Sequence, residues 1–470
     1  TSDSPQASPC PAIMRFQNLT KHTDVGASSF LVEAGETRIV LDAGTHPKHT
    51  GRATLPQFEK ISQIPLDAIL VSHPHLDHIG ALPVLMKQHP DAVVTMTPPT
   101  RESGIALLHN SVNVMKAQRD ELNERDYPLY SHRQLDDSER FWLTREVGVP
   151  FSIGDRDRVV CEFFHAGHVL GAVGIRLEHE GNTLFYTGDI HFEDQTMVRA
   201  AEFPCEKVDT LVIETTRGDH QRDPAYTREA EKLRFAEAIN GTLARGGAIL
   251  IPVFAFGKTQ EVLLLIRELI DEERIPPLPV HIGGLSTKMT QIADRFSGHP
   301  HRLHRDYKIL EEFPSLQVLQ RGHREPDFMP GSIYALSSGM MSEHTVSHRF
   351  ARRILSSPAN SILFVGYADG ESPAGRILSA GQGGRVQLSS DSRHESEVKC
   401  EIQHFDFSGH APREQILEYA VSCDPKTIIL VHGDLPAREW FQRELQQRLP
   451  QAEVIIPAPG QIIDLKPNGS

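Results

Sequence analysis

Short apolar runs broken by turn residues fill the first part of the chain. β-branched and aromatic residues cluster over 37–41, 68–71, 92–97, 159–164, 173–177 and 184–187, which predicts strands. Glu180-Gly181-Asn182, between the last two, predicts a hairpin turn. Apolar positions at helical spacing over 80–88 predict a helix soon after the second strand. From about residue 227 the rhythm changes. Helices over 229–243, 259–271, 287–296 and 346–356 alternate with strands over 248–254, 280–283, 333–336 and 361–366. That alternation predicts a parallel sheet flanked by helices. The first style then returns, with a strand over 402–407, a helix over 413–421, a strand over 427–431, a helix over 437–449 and a final strand pair. The class is α/β. One domain is expected in two parts, 11–217 and 391–470, with a second domain inserted at 218–390.

Composition fits that division. A chain of 470 residues is long enough for two domains, and 39% hydrophobic with 23% charged residues is ordinary for a globular protein. No apolar run approaches the roughly 18–20 residues that span a bilayer, so no membrane partner is expected. The Ser/Pro-rich start, TSDSPQASPCP, lacks the apolar centre of a signal peptide and reads as a frayed tail. Five widely spaced cysteines without a CxxC suit a reducing compartment, hence a cytoplasmic location. The net charge of −14 argues against non-specific nucleic-acid binding over the whole surface and leaves room for a local groove.

With 25 histidines, clustering alone is weak evidence of chemistry. VSHPHLDHIG differs from other clusters in its context. His73, His75, Asp77 and His78 directly follow the strand over 68–71 and precede a helix, so they sit on a loop where side chains can converge. Neutral imidazoles suit zinc, and the carboxylate can serve a second ion. SGHPHRLHRD supplies a control: His299, His301 and His304 lack an acid and a leading strand, and they read as structural. FFHAGH and FYTGDIHF place His168 and Asp189 just beyond two strand ends, with His165 nearer its strand and read as structural or supporting. RIVLDAG puts Asp42 at another strand end, placed to orient a ligating histidine through its other ring nitrogen. FGKTQ contains Gly-Lys-Thr, but a phosphate loop needs glycine where Pro252 stands, so an ATPase is excluded.

The order LDAG, HxHxDH, strand-end His and TGD resembles the metallo-β-lactamase superfamily. That resemblance implies an αββα sandwich with two zinc ions at the edge of the sheets. By carry-over, His73, His75 and His168 hold one ion, Asp77 and His78 the other, and Asp189 bridges. His432, in KTIILVHGD, is similar to the last ligand of the superfamily. LVIETTRG with Glu214 and FDFSGHAP with His410 narrow the resemblance to the β-CASP nucleases, whose pattern is closest in the cleavage-and-polyadenylation endonucleases and their bacterial homologues. Two positions depart from that pattern: Arg217 stands where tyrosine is usual, and Pro412 where an acid is usual.

The resemblance implies a zinc-dependent RNA phosphodiester hydrolase, endonucleolytic by preference, acting on single-stranded RNA and forming a homodimer. Two metals would activate a water as hydroxide, Asp77 would serve that metal pair, and His410 would act as general acid with Glu214 fixing its tautomer. A small-molecule or DNA-directed hydrolase of the same fold is the main rival. An inserted domain over the site favours a polymer instead. A non-catalytic RNA-processing scaffold is the rival of another class, and it would be expected to lose ligands. Here all seven metal positions carry suitable residues.

Overall fold

A computed structural model describes residues 14–465 apart from 156, 207, 320–327, 344 and 390–394. The N-terminal stretch read as a frayed tail lies outside the described residues.

Two seven-stranded sheets face each other. The first runs Ile462–Leu465, Met14–Asn18, Phe30–Ala34, Thr37–Leu41, Ala68–Leu70, Val93–Met96, Trp142–Thr144. The second runs Glu453–Ile455, Thr427–Val431, Thr210–Glu214, Asn182–Tyr186, Val173–His179, Val159–His165, Phe151–Ile153. Between them lies an apolar layer that includes Phe16, Phe30, Ile39, Phe163, Ile175, Tyr186, Val212 and Ile429, all essentially without solvent contact. Each such aromatic contributes about 1.5–3 kcal/mol by leaving water. Helices cover the outer faces. Leu82–Gln88 and Pro98–Leu122 pack on the first sheet, and Arg413–Cys423 and Leu435–Arg448 on the second. This is the αββα sandwich expected.

The inserted domain carries a six-stranded parallel sheet in the order Leu316–Leu319, Val280–Gly283, Ile333–Leu336, Ile249–Pro252, Ser361–Phe364, Glu401–His404. One apolar cluster runs without a break from Ile213, Leu430 and Phe441 into Phe235, Ile251, Leu265 and Phe405. The inserted domain is therefore packed against the sandwich rather than tethered to it. The buried carboxylate of Glu261, on the helix Lys258–Asp271, accepts the Thr196 and Met197 amides at 2.6 and 2.8 Å, which fixes the docking angle. Among the described residues no helix is long and apolar enough to cross a membrane.

Several elements differ from their sequence expectation. The helix expected over 80–88 is Leu82–Gln88, and a separate helical turn, Leu76–Ile79, precedes it, because Pro83 has no N–H with which to continue that turn and opens the next helix instead. Asp77 and His78 therefore lie on a helical turn rather than a loop. The strand expected over 402–407 is Glu401–His404 and belongs to the inserted sheet, where it pairs with Ser361–Phe364. The two final strands do not pair with each other. Glu453–Ile455 joins Thr427–Val431, while Ile462–Leu465 crosses to Met14–Asn18. Asn18 anchors that crossing by donating to the Pro457 and Ala458 carbonyls. The control cluster is part of the domain contact. His301 stacks flat on His165 with ring centroids 4.2 Å apart, and His304 bonds to Glu268 at 2.7 Å.

Candidate metal centre

Strand ends build the site. Thr37–Leu41 and Ala68–Leu70 are parallel, so Asp42 and His73 leave the first sheet on the same edge. Asn182–Tyr186, Thr210–Glu214 and Thr427–Val431 are mutually parallel, so Asp189, Glu214 and His432 leave the second sheet together. The turn after Val159–His165 adds His168. Backbone contact holds the helical turn Leu76–Ile79 against this edge: Ala43 and Thr45 donate to the His78 and Leu76 carbonyls at 2.8 Å.

The side chains fall into three sets. His73, His75, His168 and Asp189 bring ligand atoms within 4.8 Å of one another, as do Asp77, His78 and His432, and as do Asp189, Glu214 and His410. Asp189 joins them all. Its Oδ2 lies 3.4 Å from His73 Nε2 and 3.7 Å from His168 Nε2, and its Oδ1 lies 3.3 Å from His78 Nε2 and 3.2 Å from His432 Nδ1. The seven positions expected to hold metal, and the two expected to move a proton, are thus brought to one place. His165 is not among them.

The protonation pattern shows what the site is built for. His168 Nδ1 donates to the Gly409 carbonyl at 2.8 Å, and His78 Nδ1 donates to Asp42 at 2.7 Å. Each Nε2 is thereby turned inward, where it can bind a metal in place of a proton. There His168 Nε2 faces His75 Nδ1 at 3.2 Å, and His78 Nε2 faces His432 Nε2 at 3.3 Å. Nitrogens so placed repel unless a cation lies between them. Two ligands about 2.0–2.1 Å from a tetrahedral ion stand about 3.3 Å apart, which is the spacing found here. The buried His73 Nε2, His75 Nε2 and Asp189 Oδ1 make no hydrogen bond. The residues present fit divalent metal.

Burial sets most of the titration behaviour. It pushes His73 and His168 well below the usual imidazole range and lowers His75. Burial also opposes the charge on His78, but Asp189 and Asp42 outweigh it and hold that ring well above its usual range. Burial would raise Asp189, yet His432, His78 and His73 hold it well below the carboxylate range. Asp77 is lowered in the same way, with the His432 hydrogen bond and His78 overcoming burial.

Beside this centre His410 Nδ1 sits 3.0 Å from Oε2 of the fully buried Glu214. Glu214 Oε1 accepts the Ile190 amide at 2.6 Å, which locks the carboxylate. The other ring nitrogen of His410 faces inward, 4.0 Å from Asp189 Oδ2. Burial alone would lower this imidazole, but Glu214 and Asp189 push it up to about 9.

Sequence reasoning missed three supporting groups, Ser72, Tyr186 and Thr216, and gave Arg217 no role beyond its departure from the family pattern. Ser72 gives its amide and hydroxyl to Asp42, both at 2.7 Å, and the Tyr186 hydroxyl donates to the same carboxylate at 2.7 Å. Thr216 Oγ1 stands 3.1 Å from His432 Nδ1. Arg217, at the position usually held by tyrosine, pairs with Asp406 at 2.8 Å and reaches the His410 carbonyl at 3.5 Å. Tyr186 and Ser72 are each within three residues of a ligand in the motifs quoted above, which is the one signal that marks them.

The comparisons agree with this geometry. A model of the metallo-β-lactamase superfamily matches residues 22–239, one of the Beta-Casp domain matches 259–377, and one of the Zn-dependent metallo-hydrolase RNA specificity domain matches 395–457. The chain is 28% identical over 431 residues to the endoribonuclease ysh1 of Schizosaccharomyces pombe, covering 90% of this chain and 54% of that one. It is 28% identical over 462 residues to cleavage and polyadenylation specificity factor subunit 3 of Dictyostelium discoideum, covering 95% and 56%. Against the transcription termination factor FttA of Pyrococcus abyssi it is 30% identical over 447 residues, covering 90% and 67%. The chain thus spans a little over half the length of the first two relatives. A solved structure described as a protein of unknown function from Enterococcus faecalis V583 shares the fold, with a TM-score of 0.58 at 13% identity, covering 97% of this chain and 100% of that one.

Proposed function

The chain belongs to the β-CASP branch of the metallo-β-lactamase superfamily, and from that premise we propose that it is a metal-dependent ribonuclease cutting single-stranded RNA, endonucleolytic by preference. Family membership implies divalent metal, and we take the ions to be two zinc ions. One set is His73, His75 and His168, the other Asp77, His78 and His432, with Asp189 between them. The observation that carries the proposal is the His410–Glu214 pair, aimed at the same carboxylate that joins the two ligand sets. A site that only stored metal would have no use for a proton donor held there. The model described as an RNA specificity domain covers both His410 and His432, which supports RNA over other substrates.

Bound divalent ions would supply Lewis acidity, lowering the pKa of a water and offsetting charge on a phosphate. The chain's own residues do the rest. Asp42 and the Gly409 carbonyl hold the tautomers of His78 and His168, so their lone pairs stay aimed. Glu214 keeps His410 protonated on Nδ1 and charged at neutral pH, leaving its Nε2–H to protonate the departing ribose oxygen.

The test is to incubate the zinc-loaded chain with labelled single-stranded RNA, single-stranded DNA and a thioester panel. RNA is expected to be cut at internal positions. Intact RNA beside hydrolysed thioester would overturn the proposal.

A further inference from the structure

Two aromatic side chains stand exposed on loops that leave the carboxyl ends of adjacent parallel strands. Phe254 follows Ile249–Pro252 and is 40% exposed, although Val253 and Phe256 beside it are 0% and 3% exposed. Tyr367 follows Ser361–Phe364 and is 57% exposed. The loop after Ile333–Leu336, the strand on the other side of Ile249–Pro252, touches both loops. The Phe254 ring covers Gly339 so closely that a Cβ there would stand 3.2 Å from ring carbons. Met340 then offers its sulfur to the Asp369 amide at 3.3 Å, and Asp369 accepts the Tyr367 hydroxyl at 3.3 Å. The three loops are joined by these contacts into one rim that carries both exposed rings.

This rim meets the metal centre on two sides. On one side the Phe256 backbone lies beside His75, and Gly257 packs on Val169, the neighbour of His168. On the other, Lys48 pairs with Asp369 at 2.8 Å, and Asp434, two residues beyond His432, faces both Lys48 and Tyr367. In open α/β sheets, ligands bind beyond the carboxyl ends of the strands, where this rim stands.

Charge does not explain how a polyanion would be held here. The chain carries −14, Lys48 is paired with Asp369 and Arg217 with Asp406, and Lys258, half-buried beside Gly366, gives its ammonium to the Phe407 carbonyl. Stacking needs no free charge. Every base offers an apolar π-face, and an aromatic ring that holds one contributes about 1–3 kcal/mol irrespective of sequence. Only an unpaired base can offer both faces, because a duplex buries them in its own stack.

We propose that Phe254 and Tyr367 are stacking platforms for unpaired bases of single-stranded RNA, one on either side of the phosphodiester held at the metal centre. The inference rests on the ribonuclease reading and adds a basis for single-strand selectivity.

A single-stranded oligoribonucleotide with phosphorothioate linkages, carrying 2-aminopurine at successive positions, tests this with the full chain. Anisotropy reports binding and 2-aminopurine fluorescence reports stacking. Quenching on binding is expected at two label positions. Phe254→Ala and Tyr367→Ala should each abolish quenching at one position and weaken binding about five-fold or more. Phe254→Leu keeps apolar bulk without a ring and should also lose quenching, whereas Tyr367→Phe should keep it. An unquenched wild-type complex, or a double alanine variant with wild-type affinity, overturns the platforms. Cleavage of ordinary RNA is read in parallel. A chain that cuts RNA without quenching removes the platforms alone. One that stacks bases but never cuts removes the ribonuclease reading alone.

Discussion

Oδ2 of Asp42 lies 2.7 Å from Nδ1 of His78, with both side chains fully buried. The same carboxylate accepts from the Ser72 amide, the Ser72 hydroxyl and the Tyr186 hydroxyl, so four donors converge on it. Removing it as Asp42→Ala would leave those donors buried and unpaired, at a cost of about 1–3 kcal/mol for each one that finds no substitute. Asp42→Asn keeps the shape and removes the charge. It should fold, yet hold metal about 10–100-fold more weakly, because His78 loses the partner that fixes its tautomer. Competition with a chelator of known affinity measures this, and wild-type metal affinity in the asparagine variant would show that the contact is only structural.

Metal removal should leave the inward lone pairs repelling one another. Treatment with chelator is therefore expected to lower the melting temperature and abolish RNA cleavage, and zinc should restore both. His432→Ala should bind fewer ions per chain than wild type, since Asp77 and His78 alone are a poor set. Elemental analysis of the purified variants gives the count. Wild-type metal content in His432→Ala would remove that residue from the ligand set.

His410 and Glu214 should behave as a unit. Loss of a general acid typically costs about 10²–10⁴-fold in rate. His410→Ala and Glu214→Gln are each expected to fall in that range while the metal content stays unchanged, and the double variant should be little worse than either single one. Multiplied effects in the double variant would mean that the two residues act independently.

The metal set is legible in the sequence because His73, His168, Asp189 and His432 each sit one to three residues past a strand, such strands end on one edge of a sheet, and His75, Asp77 and His78 follow His73 within one short motif. The His78–Asp42 and His410–Glu214 contacts join residues 36 and 196 positions apart; the strand-end position of Asp42 pointed to a ligating histidine without saying which, and only the resemblance to a family suggested the His410–Glu214 pair. What periodicity cannot show is which sheet a strand joins. Glu401–His404 resembles the other short strands in composition, yet it pairs with Ser361–Phe364 because the inserted sheet has an open edge there. The helix Pro98–Leu122 escaped for a different reason. Its apolar positions do not keep to one stripe beyond Met115, although Thr97 caps it by accepting the Thr100 amide and Pro98 and Pro99 open it.

Acid should loosen the domain contact through His165. Burial, reinforced by the neighbouring His301, pulls this imidazole from 6.5 down to about 3. The folded-state value is the lower one, so between pH 6.5 and 3 the unfolded chain binds a proton that the folded chain does not. Stability is therefore present above about pH 6.5 and is lost as pH falls, by about 2 kcal/mol at pH 5 from this residue. His165→Gln should retain a donor for the Arg199 carbonyl, which His165 Nε2 meets at 3.0 Å, and cannot titrate. The stability difference between pH 7 and pH 5, from urea midpoints, should shrink by about 2 kcal/mol in that variant. The titrating metal ligands are common to both proteins and cancel in the comparison. An identical pH 7 to pH 5 loss in the two would falsify the assignment.

Gly44 offers a way to disturb one half of the metal centre without touching a ligand. A Cβ at this position would stand 1.7 Å from the Asp77 carbonyl oxygen and 2.8 Å from the His78 amide nitrogen. These are backbone atoms and cannot swing aside. The turn Leu76–Ile79 is tied there by Ala43 and Thr45 donating to His78 and Leu76, and by Ser28 donating to Asp77, all at 2.8 Å. Gly44→Ala must therefore push the Asp77–His78 segment outward, while His73, on the sheet edge before it, and His168, on the opposite sheet, are held by other contacts. The expected result is loss of the ion held by Asp77, His78 and His432, with the ion at His73 and His168 weakened less, because of that set only His75 is tied to the displaced turn. Gly181 is the control. It has φ of +79° in the hairpin after Val173–His179, and a Cβ there would meet nothing within 4 Å. Gly181→Ala should cost about 1 kcal/mol in backbone strain and leave the metal count alone. If Gly44→Ala loses stability only to the extent of Gly181→Ala and keeps every ion, close approach at Gly44 is not what sets the second ligand group in place.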